Sequence, residues 1–302
     1  VSPQSKSKGR RTAPPEPTAD RVASKPSPGL HLVATPIGNA ADITLRALET
    51  LAGVDAIACE DTRVTAKLLA IHGIRRPLLS YHEHNAEKMR PRLIQRLKDG
   101  ESVALVSDAG TPLVSDPGYK LVRECRAEGL PVFALPGASS VLTALMLAGL
   151  PSDRFLFAGF LPNKSGPRRK VLAELGAVRS TLVLMEAPSR LPESLADMAE
   201  VLGDREAAVT RELTKLFEEV RRGSLAELAA HYAGAGPPKG EVTLVIGPPG
   251  ETEPPAEDLD SRLRSAMAKL TVRDAADRVA AESGLPRRQV YARALELRNE
   301  TP

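Results

Sequence analysis

Asp108 stands in the most informative stretch of this chain, LVSDAGTPLVSDPGY from Leu105 to Tyr119. A short apolar run, Ser102 to Val106, ends there in small residues, an acid and two prolines. Ala109 and Gly110 let a ligand approach the backbone closely, and Asp108 offers it a carboxylate. The pattern predicts a strand, a rigid exposed loop, and a helix that starts at Asp116-Pro117 with Asp as N-cap and Pro at the first helical position. Open α/β sheets bind ligands at the carboxyl ends of their strands, where such a loop lies. The plainer reading is an ordinary strand-to-helix turn.

Two further loops weigh against that plain reading. Thr35-Pro36-Ile37-Gly38-Asn39 follows the first apolar run, and Leu135-Pro136-Gly137-Ala138-Ser139-Ser140 follows the fourth and opens a helix. Residues 35–39, 107–112 and 136–140, at corresponding strand ends, would form one concave site for a nucleoside-bearing cofactor held through backbone groups. No G-x-G-x-x-G and no G-x-x-x-x-G-K-[ST] occurs, so dinucleotide and P-loop readings lose their main support.

The elements that must position these loops are legible as alternation. LHLVAT, VDAIACE, SVALVSD and LPVFALP read as strands, with helices over 44–51, 63–72, 86–98, 119–128 and 139–147. Strands alternating with helices imply a mainly parallel sheet and an α/β fold. Gly149 to Asp153 reads as a hinge. Beyond it FLFAGF, STLVLME, AAVTREL and EVTLVIG read as strands of a second, mixed sheet, with helices over 168–175, 189–202 and 224–232. The division expected is a disordered basic tail at 1–28, an α/β domain at 29–149, a second at 150–247, a linker at 248–256 and a small helix-turn-helix-like segment at 257–302. Its three helices are expected over 259–270, 272–283 and 287–297.

At 302 residues the chain is long enough for two cores. Few aromatics and no Trp weigh against a surface that stacks bases in series. Two cysteines, Cys59 and Cys125, point to a reducing cytoplasm, and the first residues lack an apolar signal core. No uninterrupted apolar segment is long enough to cross a bilayer. The net charge of +3 is unevenly spread: residues 1–28 carry six bases and two acids, residues 261–302 nine and five, and the middle 26 against 31. Basic ends around a mildly acidic middle suit a small-molecule engine with extensions that seek polyanions, or simply soluble termini.

TPIGNAADIT, CEDTR, LVSDAGTPLVSDPGY, LPGASS, GLPSDRFLFAGFLP and RELTK, in this order, closely resemble the tetrapyrrole-methylase superfamily, and within it the ribosomal branch. The likeness runs from Leu30 to the last helix. It implies two α/β domains with S-adenosylmethionine in the cleft between them, and 2′-O-methylation of a cytidine ribose in the decoding region of 16S rRNA, cytidine 1402. It also implies a homodimer in the cytoplasm, acting on 16S rRNA or the assembled small subunit. Carried over by motif, Gly38, Asp108, Gly110, Thr111, Gly137, Ala138 and Ser139 would line the first-domain side of the cofactor. Met185, Glu212 and Val242 or Thr243 would lie on the second-domain side.

A sulfonium methyl is already activated, so aligning the ribose oxygen supplies much of the catalysis. The hydroxyl proton must still leave, which calls for a base or a polarising cation. Glu60, Asp61 and Arg63 in CEDTR, and His82 with Glu83, His84 and Asn85 in SYHEHN, are the candidates; helix caps and solvated strand ends are the alternative for the acids. No third ligand joins His82 and His84, so no metal is expected. Lys164, Arg168, Arg169 and Lys170 form a basic cluster read as a mobile loop that orders on RNA. Lys215, Arg287 and Arg288 could also meet phosphates, whereas Arg221-Arg222 reads as a solvated turn. Two other readings stay open: a methyltransferase of the same fold for a corrinoid or other non-RNA acceptor, and a non-catalytic assembly factor that keeps the cofactor pocket.

Overall fold

The apolar runs of the first half become strands because helices cover both of their faces. A computed structural model describes residues 25–250 and 256–300. Most of the expected basic tail, and residues 251–255 of the expected linker, lie outside the described residues. The chain divides into two compact units: the described residues up to Leu147 together with Thr210–Glu219, and Ala148–Val209 together with the described residues from Val220 onward.

The first unit runs β1 (Gly29–Val33), α1 (Leu45–Gly53), β2 (Ala56–Cys59), α2 (Thr62–Ile71), β3 (Leu78–Ser80), α3 (Ala86–Lys98), β4 (Ser102–Val106), α4 (Tyr119–Ala127), β5 (Val132–Leu135) and α5 (Ser140–Ala148). The sheet order is β3-β2-β4-β1-β5, with every pairing parallel. One face packs Val33, Ile57 and Val106 on Ala47, Leu51 and Leu69 of α1 and α2. The other packs Leu30, Ala58 and Leu105 on Leu93, Leu97 and Leu121 of α3 and α4. Strands covered on both faces read as near-continuous apolar runs, which is how β1, β2 and β4 appear in the sequence. The chain leaves β1 toward β2 and leaves β4 toward β5, so adjacent strands send their connections in opposite directions. That is the topological switch point, where a crevice opens at the strand ends.

The second unit runs β6 (Phe155–Phe160), α6 (Ser165–Gly176), β7 (Thr181–Glu186), α7 (Leu191–Leu202), β8 (Glu206–Arg211), β9 (Glu219–Ser224), α8 (Leu225–Ala235) and β10 (Val242–Ile246). Its order is β6-β7-β10-β8-β9. β6 and β7 are parallel and β7 and β10 antiparallel, so the sheet is mixed. Three helices follow, α9 (Ala256–Met267), α10 (Val272–Ser283) and α11 (Arg287–Glu300), around their own core of Leu263, Val279, Val290 and Leu297.

Three expectations need correction. The Asp116-Pro117 cap does not start α4, which begins at Tyr119 as the helix expected over 119–128 does, because the chain makes a longer excursion with Leu113 at φ 72° and Ser115 at φ 65°. Gly118 then takes the cap position at φ 138°, where an added Cβ would lie 2.8 Å from Leu105. Arg221-Arg222 is no turn but part of β9. The cluster at 164–170 is no loop either: Ser165 begins α6, and Arg168 is one of its buried residues. β3 went unread, since three residues carry no periodicity.

Candidate active site

Backbone and hydroxyl bonds stitch the three small-residue loops of the first unit together. Thr35 and Gly110 exchange both backbone hydrogen bonds, at 2.9 and 3.0 Å, as an isolated bridge across the switch point. Gly110 sits at φ 83°, a conformation L side chains rarely adopt, and this explains its glycine. The Thr35 hydroxyl donates to the Ser107 carbonyl at 3.0 Å, and the Ser107 hydroxyl donates to the Gly110 carbonyl at 3.0 Å. The Thr111 hydroxyl donates to the Ala138 carbonyl at 3.1 Å, which ties the second loop to the third. A Cβ on Gly137 would lie 2.9 Å from the Ala34 side chain. Gly38, Ala109 and Gly137 stay exposed, so backbone lines the crevice.

RELTK closes on the first of these loops. The Asn39 amide donates to the Thr214 hydroxyl at 3.1 Å, and a Cβ on Gly38 would collide with Lys215 and Thr214. Glu212 (φ 51°) and Thr214 (φ 63°) hold the turn, and Glu212 pairs with Lys215 at 2.8 Å. Glu212 therefore belongs to the first unit and not, as expected, to the second. In the second unit Thr243 stands opposite Met185 in the β7–β10 register. Val242 is spent in the hydrophobic core, which leaves Thr243 on the opposite face of the sheet with Met185.

The acids divide by environment. Asp61 caps α2, accepting the Arg63 amide at 2.8 Å and pairing with its guanidinium at 2.6 Å. Those bonds from Arg63 hold its carboxyl down at about 2, which removes its basicity at neutral pH. We expect Asp61→Asn to lower the melting temperature by only a few degrees and to leave methyl transfer near wild type at pH 7. A collapse in rate without loss of fold would return Asp61 to the chemistry. Asp108 Oδ1 accepts the Asp61 amide at 3.0 Å. Burial, and then the charge of Asp108, push Glu60 up. Burial and the charge of Glu60 push Asp116 up to about 6.

Glu60 and Asp116 line a cavity of about 650 Å³ together with Tyr81, Arg90, Tyr119 and Lys120. The sequence reading took Asp116 for a helix cap and passed over the two tyrosines. The signal within reach was the repeated Ser-Asp, at 107–108 and again at 115–116. His84 lines the same cavity, and His82 packs edge-on to it at 6.0 Å with Nδ1 buried and unpartnered. Asn85 braces that turn: its side-chain oxygen accepts the His82 amide at 2.9 Å and its amide donates to Ser80. Among the described residues no group of three His, Cys, Asp or Glu is arranged to hold a metal.

The basic candidates separate too. Arg168 is buried on Asp197 at 2.6 Å, so it faces no phosphate. Arg169 pairs with Glu200, and Arg287 with Asp277. Lys164, Lys170 and Arg288 are exposed.

Comparison with known proteins settles the family. Residues 29–229 match the model of Tetrapyrrole (Corrin/Porphyrin) Methylases, and residues 253–298, which hold α9 to α11, match the RsmI C-terminal HTH domain. The chain is 54% identical over 273 residues to the ribosomal RNA small subunit methyltransferase I of Mesorhizobium japonicum, covering 90% of this chain and 93% of the relative. It belongs to the ribosomal RNA small subunit methyltransferase I family. The Bacillus subtilis member is 43% identical, with 87% and 92% covered. A diphthine synthase structure shares the fold of this methyltransferase at TM-score 0.56 and 20% identity, covering 72% of this chain and 89% of that one. A cobalt precorrin-4 methyltransferase does so at 0.54 and 19%, with 72% and 94% covered.

Proposed function

We propose that this methyltransferase moves a methyl group from S-adenosylmethionine to the ribose 2′-oxygen of cytidine 1402 in small-subunit ribosomal RNA. The observation that carries the reading is the identity to ribosomal RNA small subunit methyltransferase I along nearly the whole of both chains. A corrinoid acceptor has only the shared fold behind it, at identities near one in five.

The residues of the crevice fit the cofactor. Small side chains at the exposed Gly38, Ala109 and Gly137 let a nucleoside come close to the backbone, and Asp108 adds a carboxylate for a polar end. Carboxylates at Glu60, Asp108 and Asp116 give the surroundings a negative field suited to a cation. When bound, S-adenosylmethionine supplies an electrophilic methyl on a positively charged sulfur. The protein's own work is to orient the ribose, exclude water and accept one proton.

RNA engagement falls to the exposed bases, with Arg288 at the first turn of α11. We expect Arg288→Ala to weaken small-subunit binding severalfold and to reduce the slope of log affinity against log salt by about one, with cofactor affinity unchanged. Binding titrations over a salt series read both, and an unchanged slope would remove Arg288 from the interface. A second copy of the chain is the proposed cover for apolar groups left bare at Leu142 and Met146 of α5 and Phe160 on edge strand β6; sedimentation velocity reads the mass. Work on a ribosomal subunit favours the cytoplasm as its compartment; separately, no described helix is long and apolar enough to cross a membrane.

The test combines purified protein, labelled S-adenosylmethionine and small subunits from a strain lacking the gene. Label in a 2′-O-methylated cytidine at position 1402 is the expected result. Cofactor binding with no transfer to any subunit RNA would favour an assembly factor instead.

A further inference from the structure

We infer that the cavity between the segment running from Tyr81 to Arg90 and the turn running from Ser115 to Lys120 receives the acceptor nucleotide, and that Asp116 takes the proton from its ribose hydroxyl. This rests on the reading of function above and assigns the acceptor side of that site.

Three observations converge on it. The first is position: the cavity lies beside the 107–111 loop, since Glu60 lines it and the next residue, Asp61, donates its amide to Asp108 at 3.0 Å, and the charge of Asp108 reaches both Glu60 and Asp116. A group bound there is next to whatever the loop holds. The second is size and chemistry. About 650 Å³ accommodates a nucleotide. At its rim Tyr119 is 65% exposed and offers a ring on which a base can stack, and Lys120 stands exposed beside it for a phosphate. The third is a cation in the wall: Arg90 lines the cavity, held by Glu124 at 2.7 Å, and its guanidinium offers charge for a ligand oxygen.

Within the cavity Asp116 is the carboxylate placed to act as base. Asp61 is capped and ion-paired, and Asp108 is engaged by the Asp61 amide. Burial first, and then the negative charges of Glu60, at the end of β2, and Asp108, after β4, raise the basicity of Asp116. From the α3 side Glu83, His84, Glu87 and Arg90 face the same space, and Lys120 faces it from α4. A carboxyl poised near 6 is ionised at pH 7 and remains a stronger base than an ordinary aspartate. In the step, the O2′–H bond breaks and its proton passes to Asp116. The oxygen's electron pair forms the bond to the methyl carbon, and the pair of the broken carbon–sulfur bond stays on sulfur, which becomes a neutral thioether.

The experiment measures single-turnover methylation of unmodified small subunits from pH 5 to 9 for wild type, Asp116→Asn and Glu60→Gln. Cofactor affinity is read by calorimetry and folding by thermal melting. Wild type should lose rate below about pH 6. Asp116→Asn should fall about a hundredfold at pH 7, lose that acid limb, and bind cofactor as wild type does. Glu60→Gln should keep the limb but move it to lower pH, because a like charge beside Asp116 is gone. An Asp116→Asn enzyme that keeps both rate and limb overturns the inference, as does a limb lost in Glu60→Gln and merely shifted in Asp116→Asn. Wild type that binds cofactor but labels no cytidine overturns the underlying reading of function instead.

Discussion

Replacing Asp108 by alanine should weaken S-adenosylmethionine binding by about ten- to a hundredfold, read by calorimetric titration. A carboxylate that hydrogen-bonds a polar group of the cofactor contributes about 1.5–3 kcal/mol, which is that range. The same carboxylate accepts the Asp61 amide at 3.0 Å in the free protein, so losing that bond lowers the stability and not the affinity. Asp108→Asn keeps an oxygen for the Asp61 amide and loses only the charge, so it should fall between alanine and wild type. The melting temperature should fall by a few degrees in Asp108→Ala and little in Asp108→Asn, while the bridge between Thr35 and Gly110 and the hydroxyl of Ser107 keep the loop in place. Wild-type affinity in Asp108→Ala would take the residue out of the cofactor site.

The parts of this fold that were legible are those whose pattern is local. β1, β2 and β4 are buried on both faces, so each shows as an apolar run, interrupted in β1 by His31, and α3 and α10 begin and end at the residues expected. β9 was missed because EVRRGS has no apolar alternation, and its place in the sheet comes from its neighbour β8. The helix over 119–128 begins where α4 does, but the Asp116-Pro117 cap fails, for a different reason. Asp116-Pro117 satisfies the local rules for a helix start, but Gly118 is needed two residues later where the backbone passes against Leu105. A contact from β4 overrides a good local cap.

The candidate site divides along the same line. Small residues after strands reveal the three loops, since close backbone approach demands them wherever the loops meet. Asp116 is different: burial first, and then the charges of Glu60 and Asp108, raise its basicity, and Glu60 is brought beside it by the crossover from β2. The repeated Ser-Asp marks the residue, but burial and a distant charge leave no local pattern that carries its basicity. Asp61 shows the converse, for a carboxylate followed two residues later by Arg63 at a helix start is a cap whose low basicity can be read locally.

Arg168→Ala should destabilise the second unit by about 3–5 kcal/mol, a loss on the order of 10 °C in melting temperature. Arg168 is 2% exposed and reaches Asp197 on α7 through Nε and Nη2, each at 2.6 Å, while Nη1 donates to the Asn163 carbonyl at 3.1 Å. Without the guanidinium, Asp197 keeps only the Ser165 hydroxyl at 2.9 Å and Arg169 at 3.6 Å, which is too little for a buried carboxylate. The sequence placed Arg168 among bases that meet RNA, and only burial against a helix 29 residues away distinguishes it from Lys164 and Lys170. Replacing both partners at once, as Arg168→Met with Asp197→Leu, should recover most of the stability, because neither charge is then left alone. Denaturant titration reads both variants. Below its melting point Arg168→Ala should bind small subunits with the wild-type salt slope, since it neutralises no phosphate. A reduced slope with stability intact would instead put Arg168 on the RNA.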